Sequence, residues 1–139
     1  MEYMLIVGFA LVVIIPATFL FYNYSRGSND ELIASQINSI GVEMLDSVER
    51  MYIGGEHQWE TLKLNLPDTV TEMYILDNTE LVIEYNTQSG LSEAVFFSDI
   101  NMTTPTTDCV GNVCNFSINP GYIKVRVESK GDYVLLKTN

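Results

Sequence analysis

Charge is missing where a soluble helix would need it. Between Tyr3 and Tyr24 there is no Asp, Glu, Lys or Arg, and every basic residue and all but one of the acids lie beyond that stretch. Positive charge is scarce throughout: seven Lys and Arg face 18 Asp and Glu, for a formal net charge of −11 over 139 residues. A surface this acidic repels phosphate backbones, which argues against nucleic-acid binding by the bulk surface. The sequence has a single histidine, His57, with no Cys, Ser or Asp partner at a recognisable catalytic spacing. It reads as a solvated residue beside Gly54 and Gly55. No Gly-rich phosphate loop, metal-spaced cluster or nucleophile elbow occurs, and the carboxylates are scattered rather than paired. Neither an enzyme, a cofactor nor a bound metal is expected. Trp59, the only tryptophan, is expected in the core or between helix and sheet.

Cysteine is nearly absent too. Cys109 and Cys114 stand in Cys-Val-Gly-Asn-Val-Cys, where Gly111 and Asn112 allow the chain to turn back on itself. A disulfide here would stabilise the fold by roughly 2 kcal/mol on a chain-entropy estimate. It would also place this part of the chain in an oxidising compartment. Two free thiols are the second reading. A metal site is the third, and it would need further Cys or His ligands, whereas His57 is distant in sequence.

What is present is a long apolar run, Met4 to Tyr22, enough to cross a bilayer as a helix. A secretory signal peptide fits less well, because there is no basic n-region, the run is too long and no small-x-small cleavage site follows. The nearest positive charge, Arg26, lies on the C-terminal side, which by the positive-inside tendency alone favours the wrong end for an exported domain. The disulfide reading and the sequons outweigh that single Arg, and a basic leader ahead of Met1 would remove the conflict. Two residues do not suit an inert anchor. Glu2 sets a carboxylate beside hydrocarbon, where an unpaired charge is costly and invites a cationic partner. Pro16 lies mid-span and deprives the Val12 carbonyl of its helical partner. A headgroup-level acid facing water and a tolerated kink are the plainer readings of the two.

The opening Met1-Glu2-Tyr3-Met4-Leu5-Ile6-Val7-Gly8 resembles the start of archaeal type IV pilins with a class III signal peptide. Their processed N-termini resemble Gln-x-Ser-x-Glu-Tyr-Leu followed by an apolar helix. On that pattern Glu2 matches the family's acid and Tyr3 the aromatic after it. The match covers about the first 25 residues. The Gln-x-Ser stretch does not precede Met1-Glu2 here, so either the mature start lies elsewhere or processing differs. The chain is not a good match to archaellins, which lack the Glu-Tyr pair. The resemblance implies removal of a leader by a prepilin peptidase, storage in the membrane, and assembly into a filament by dedicated machinery. It also implies that Glu2 pairs with the N-terminal amine of a neighbouring subunit.

Beyond Ser25 the pattern becomes amphipathic. Ile33, Ile37, Ile40, Met44, Val48 and Met51 recur at helical spacing, with Leu32, Leu45 and Tyr52 widening the stripe and Glu43, Asp46, Glu49 and Arg50 opposite. Gly54 and Gly55 end it. One continuous helix with a bend would run about 75–80 Å at the α-helical rise. Ser28 and Glu31 also form a capping-box pattern, so a break near Gly27 is the alternative. Gly8, Ala10 and Ala17 would permit close helix–helix approach. From Glu56 the period switches to two. Leu62, Leu64 and Leu66 alternate with polar residues, as do Ile123, Val125 and Val127. Asp77–Thr79 reads as a turn between the strands Tyr74–Leu76 and Leu81–Tyr85. Ala94–Phe97 is a further candidate strand, and Ser129–Asp132 turns into another at Tyr133–Lys137.

The expected architecture is therefore α+β. A long N-terminal α-helix, apolar then amphipathic, occupies residues 1–54, with 1–25 as membrane or filament core. An antiparallel β-sheet or small β-sandwich follows over 55–139. Three Asn-x-Ser/Thr sequons occur, at Asn23, Asn101 and Asn115. Asn115 should turn outward between Cys114 and Phe116, Asn101 lies in a Thr- and Pro-rich loop, and Asn23 sits at the edge of the apolar helix. Glycosylation is expected first at Asn101 and Asn115. The function expected is that of a pilin, a homo-oligomer in a helical, cell-surface filament, with Glu2, Tyr3, Gly8 and Pro16 as assembly residues. A single-pass anchored ectodomain that binds a ligand or partner is the alternative, and a minor pilin that primes or tips the filament is a variant of the first.

Overall fold

The computed structural model describes residues 2–139. Helix α1 runs without interruption from Glu2 to Gly54. It passes through Gly27, because Ser28 does not cap a new helix there. Instead the Ser28 hydroxyl donates back to the Tyr24 carbonyl at 3.2 Å, a bond available only inside a continuing helix. Gly54 is the last helical residue and Gly55 follows at φ 88°, the left-handed position in which glycine ends a helix without steric cost.

Nine strands follow: β1 Trp59–Leu66, β2 Val70–Leu76, β3 Glu80–Thr87, β4 Gly90–Phe97, β5 Met102–Thr103, β6 Cys109–Val110, β7 Val113–Asn115, β8 Gly121–Ser129 and β9 Val134–Thr138. They form a four-stranded sheet in the order β1-β8-β9-β5 and a five-stranded sheet in the order β4-β3-β2-β7-β6. Pairing is antiparallel except between β5 and β9, which run parallel. The β2–β3 hairpin turns on Asp77 (φ 51°) and Asn78 (φ 62°), two residue types that tolerate positive φ and so give a turn matched to strand twist. The stretch read from sequence as a plain Thr/Pro loop contains β5 and a 3₁₀ turn at Thr106–Asp108. Met102 and Thr104 are buried within it.

The chain divides into two compact units, one ending at Leu32 and the other spanning Ile33–Asn139. In the first, every side chain from Glu2 to Gly27 is exposed. In the second, Ile37, Ile40, Met44 and Val48 of α1 join one core with the inward residues of both sheets, among them Leu64, Val125, Leu136, Ile75, Leu81 and Ile83. Strand alternation sorts these residues inward and their neighbours outward. Ile33, Leu45 and Met51 pack against the core's edge, but Leu32 and Tyr52, expected to widen the stripe, remain exposed. Gly41 is also buried on α1. A Cβ there would come within 2.6 Å of Phe96 Cδ2 and closer still to Cε2 and Cζ, so the missing side chain is what admits the β4 aromatic ring.

Candidate functional site

The apolar part of α1 carries the assembly residues read from the sequence. Glu2 lies in its first turn, where a carboxylate meets the positive end of the helix dipole. Tyr3 and Phe9 are 83% and 72% exposed. Apart from the local helix backbone, nothing lies within 4 Å of the position a Cβ would take at Gly8, and the absent side chain leaves a low spot on the helix surface. Pro16 is inside the helix, and its missing N–H leaves the Val12 carbonyl without an i+4 donor. These four residues lie along one continuous helix, and each is exposed.

Two further features of this segment were not read from the sequence. The Thr18 hydroxyl donates to the Ile14 carbonyl at 2.8 Å, so the one hydroxyl in the middle of the span is satisfied within the helix itself. That satisfaction is what an apolar surrounding demands. At the end of the run the Arg26 guanidinium lies 4.4 Å from the Tyr22 ring centroid and donates to the Tyr22 hydroxyl. An aromatic and a long cation paired at the border of an apolar span is the arrangement suited to a membrane–water boundary. Both pairs have i, i+4 spacing, which was the signal available in the sequence.

Cys109 and Cys114 are joined by a disulfide across the β6–β7 hairpin, in which they are directly paired residues. Asn115 is exposed on β7 between buried Cys114 and Phe116. Asn101 is exposed just before β5, and its carbonyl accepts the Val134 N–H at 2.9 Å. Asn23 is exposed on α1 between Tyr22 and Tyr24. His57 is exposed at φ 72°, with its N–H bound to the Ser129 carbonyl at 3.1 Å.

Trp59 departs from the core position expected of it. It is 56% exposed, because β1 alternation turns Leu62, Leu64 and Leu66 inward and Trp59 outward, where Arg126 stacks 4.4 Å from its ring. From the start of β1, Glu60 reaches α1. It accepts a hydrogen bond from the buried Ser47 hydroxyl and one from Arg50 at 2.7 Å. Ser47's bond, then Arg50's, holds the Glu60 carboxyl below its ordinary pKa against the opposing effect of burial. On the other sheet the Tyr74 hydroxyl donates to Glu84 at 3.2 Å. Burial first and the Glu84 carboxylate second push the Tyr74 pKa up. Among the described residues no group of three His, Cys, Asp or Glu side chains is arranged to hold a metal ion.

Helix α1 contains a stretch near the N-terminus that is long and apolar enough to cross a membrane, and no part of that stretch is buried by the rest of the chain. Compared with known proteins, the chain matches no family model, no curated protein and no solved structure.

Proposed function

We propose that this chain is a pilin-like structural subunit that polymerises through its apolar helix into an extracellular filament, with the β-rich part as the outer coat. The observation that carries the reading is the full exposure of α1 from Glu2 to Gly27 over a membrane-spanning length. Each large apolar side chain kept from water is worth about 1.5–3 kcal/mol, so this segment must be covered by lipid or by other chains. Transfer from lipid into a bundle of identical helices changes that term little, and packing then decides the outcome.

Three features favour the bundle. Glu2 brings an acid to the apolar end, where the N-terminal amine of a neighbouring copy would neutralise it. Gly8 offers a low spot for close approach. Pro16 loosens the helix mid-span. The resemblance of residues 1–25 to archaeal type IV pilins adds membrane storage before assembly and processing by a prepilin peptidase.

Shearing cells that produce the chain and imaging the released material tests this reading. Filaments containing the chain are expected. Recovery only as discrete, detergent-extracted monomers would refute it in favour of a single-pass anchored ectodomain. In the same assay Glu2→Ala should lower filament yield while membrane insertion persists, and a normal yield would remove Glu2 from the assembly contact.

A further inference from the structure

The two sheets carry opposite charge on their outer faces. On the four-stranded sheet Lys63 stands directly opposite Lys124, and Arg126 directly opposite Lys137, in neighbouring cross-strand rows. These are four of the chain's seven basic residues. The acid on the same face, Glu128, is already engaged by Lys130 at 2.6 Å and Arg126 at 3.8 Å. Lys63, Lys124 and Lys137 have no carboxylate partner among the described residues.

On the five-stranded sheet Glu84 is paired with Glu72 on one side and Glu93 on the other, an unbroken row of three carboxylates across β2, β3 and β4. No strand of that sheet contains Lys or Arg. Beside the row, Val95 and Phe97 leave apolar surface open, Phe97 being 72% exposed. Like charges placed directly opposite in a sheet destabilise it. This domain holds four such pairs, two of each sign, and although Glu128 offsets part of the Arg126/Lys137 pair, an opposite charge from outside would lower the cost of all four.

We propose that successive copies of this chain dock through these faces, the basic face of the four-stranded sheet on the acidic face of the five-stranded sheet. Two different, complementary patches on one subunit make a head-to-tail contact, which propagates into an open helical array instead of closing a two-fold dimer. The contact rests on the filament reading for its repetition, and it gives the outer domains an attraction of their own beside helix packing. Because the pairs lie near the surface, salt weakens them, the screening length falling from about 10 Å at 0.1 M to about 3 Å at 1 M.

The test has two arms. In the first, isotope-labelled and unlabelled full-length chains are mixed in detergent and treated with a carbodiimide that joins carboxylates to amines without a spacer. Labelled-to-unlabelled links are expected between Lys63, Lys124 or Lys137 and Glu72, Glu84 or Glu93. In the second, the exposed positions are reversed as Lys63→Glu with Lys124→Glu, or Glu72→Lys with Glu93→Lys. Each pair of reversals should lower filament yield at low salt on the order of tenfold, and the four together should restore it.

Links from these lysines to other carboxylates, or reversals without effect on a chain that still forms filaments, would overturn the proposal. Loss on reversing the lysines alone would also overturn it and assign the basic face to an anionic surface such as a lipid headgroup layer. The first arm needs no filament. Failure of the polymer reading would therefore show in the shearing assay, and failure of face pairing in the cross-links.

Discussion

Gly41→Ala separates two effects of opposite sign. In an exposed helix interior the change should stabilise, because alanine is favoured over glycine by about 0.8–1 kcal/mol. Here the added methyl meets three atoms of the Phe96 ring, Cε2, Cζ and Cδ2. Either α1 withdraws from the five-stranded sheet or the ring swings outward and gives up its place against the core. Overpacking of this kind costs about 1–3 kcal/mol, which after the propensity gain leaves a net between about zero and a loss of about 2 kcal/mol. For a folded unit of about 100 residues each kcal/mol is worth roughly 4–8 °C in Tm. Thermal unfolding of the full chain in detergent, followed by near-UV circular dichroism, reads this directly. Phe96→Leu in the Gly41→Ala background should recover part of the loss, as contacting residues couple. Gly27→Ala, where nothing beyond the local helix backbone lies within 4 Å of the new methyl, should show no such loss. A Gly41→Ala protein stabilised as much as Gly27→Ala would refute the packing argument.

Replacing both Cys109 and Cys114 with Ala should destabilise the folded unit by about 2 kcal/mol, the loop-closure value for a short loop, measured by denaturant titration of the full chain. Because the Glu60 pKa is lowered in the folded state from its ordinary 4.5, its contribution is fully present above that value and is lost as pH falls through the lowered one. Acid titration of stability should therefore be steeper for the parent than for Glu60→Gln, and parallel curves would remove the Ser47–Glu60–Arg50 cluster from the acid response. For the sequons, intact mass of chain recovered from its native cell should fall on Asn101→Gln and Asn115→Gln by the mass of a glycan each. An unchanged mass would leave those sites unmodified.

The switch from a period of 3.6 to a period of 2 near Gly54–Gly55 was enough to read an α+β chain. Alternation set Leu62, Leu64, Leu66, Ile123, Val125 and Val127 apart from their polar neighbours, and all six are buried in the fold. The Cys109–Cys114 pairing was legible because only a short turn separates the two residues. The uncharged stretch from Tyr3 to Tyr24 fixed by composition alone that this segment is out of place in water. All of these are properties of near neighbours, on which local backbone periodicity and transfer free energy act directly.

Tertiary structure decided what depends on residues far apart in sequence. Ser28 could have capped a new helix, and only the continuing helix directs its hydroxyl to Tyr24. Trp59 looked like core, yet the β1–β8 register turns it outward onto Arg126. Gly41 carries no periodic signal, and its meaning comes from Phe96 on β4. The Lys63/Lys124 and Glu72/Glu84/Glu93 rows are scattered acids and bases in the sequence, joined into faces only when strand register sets them side by side. Hydrophobic period is a one-dimensional signal that the chain carries along its length. Register and sheet order are set by which strands meet, and they determine which charges share one face of the molecule.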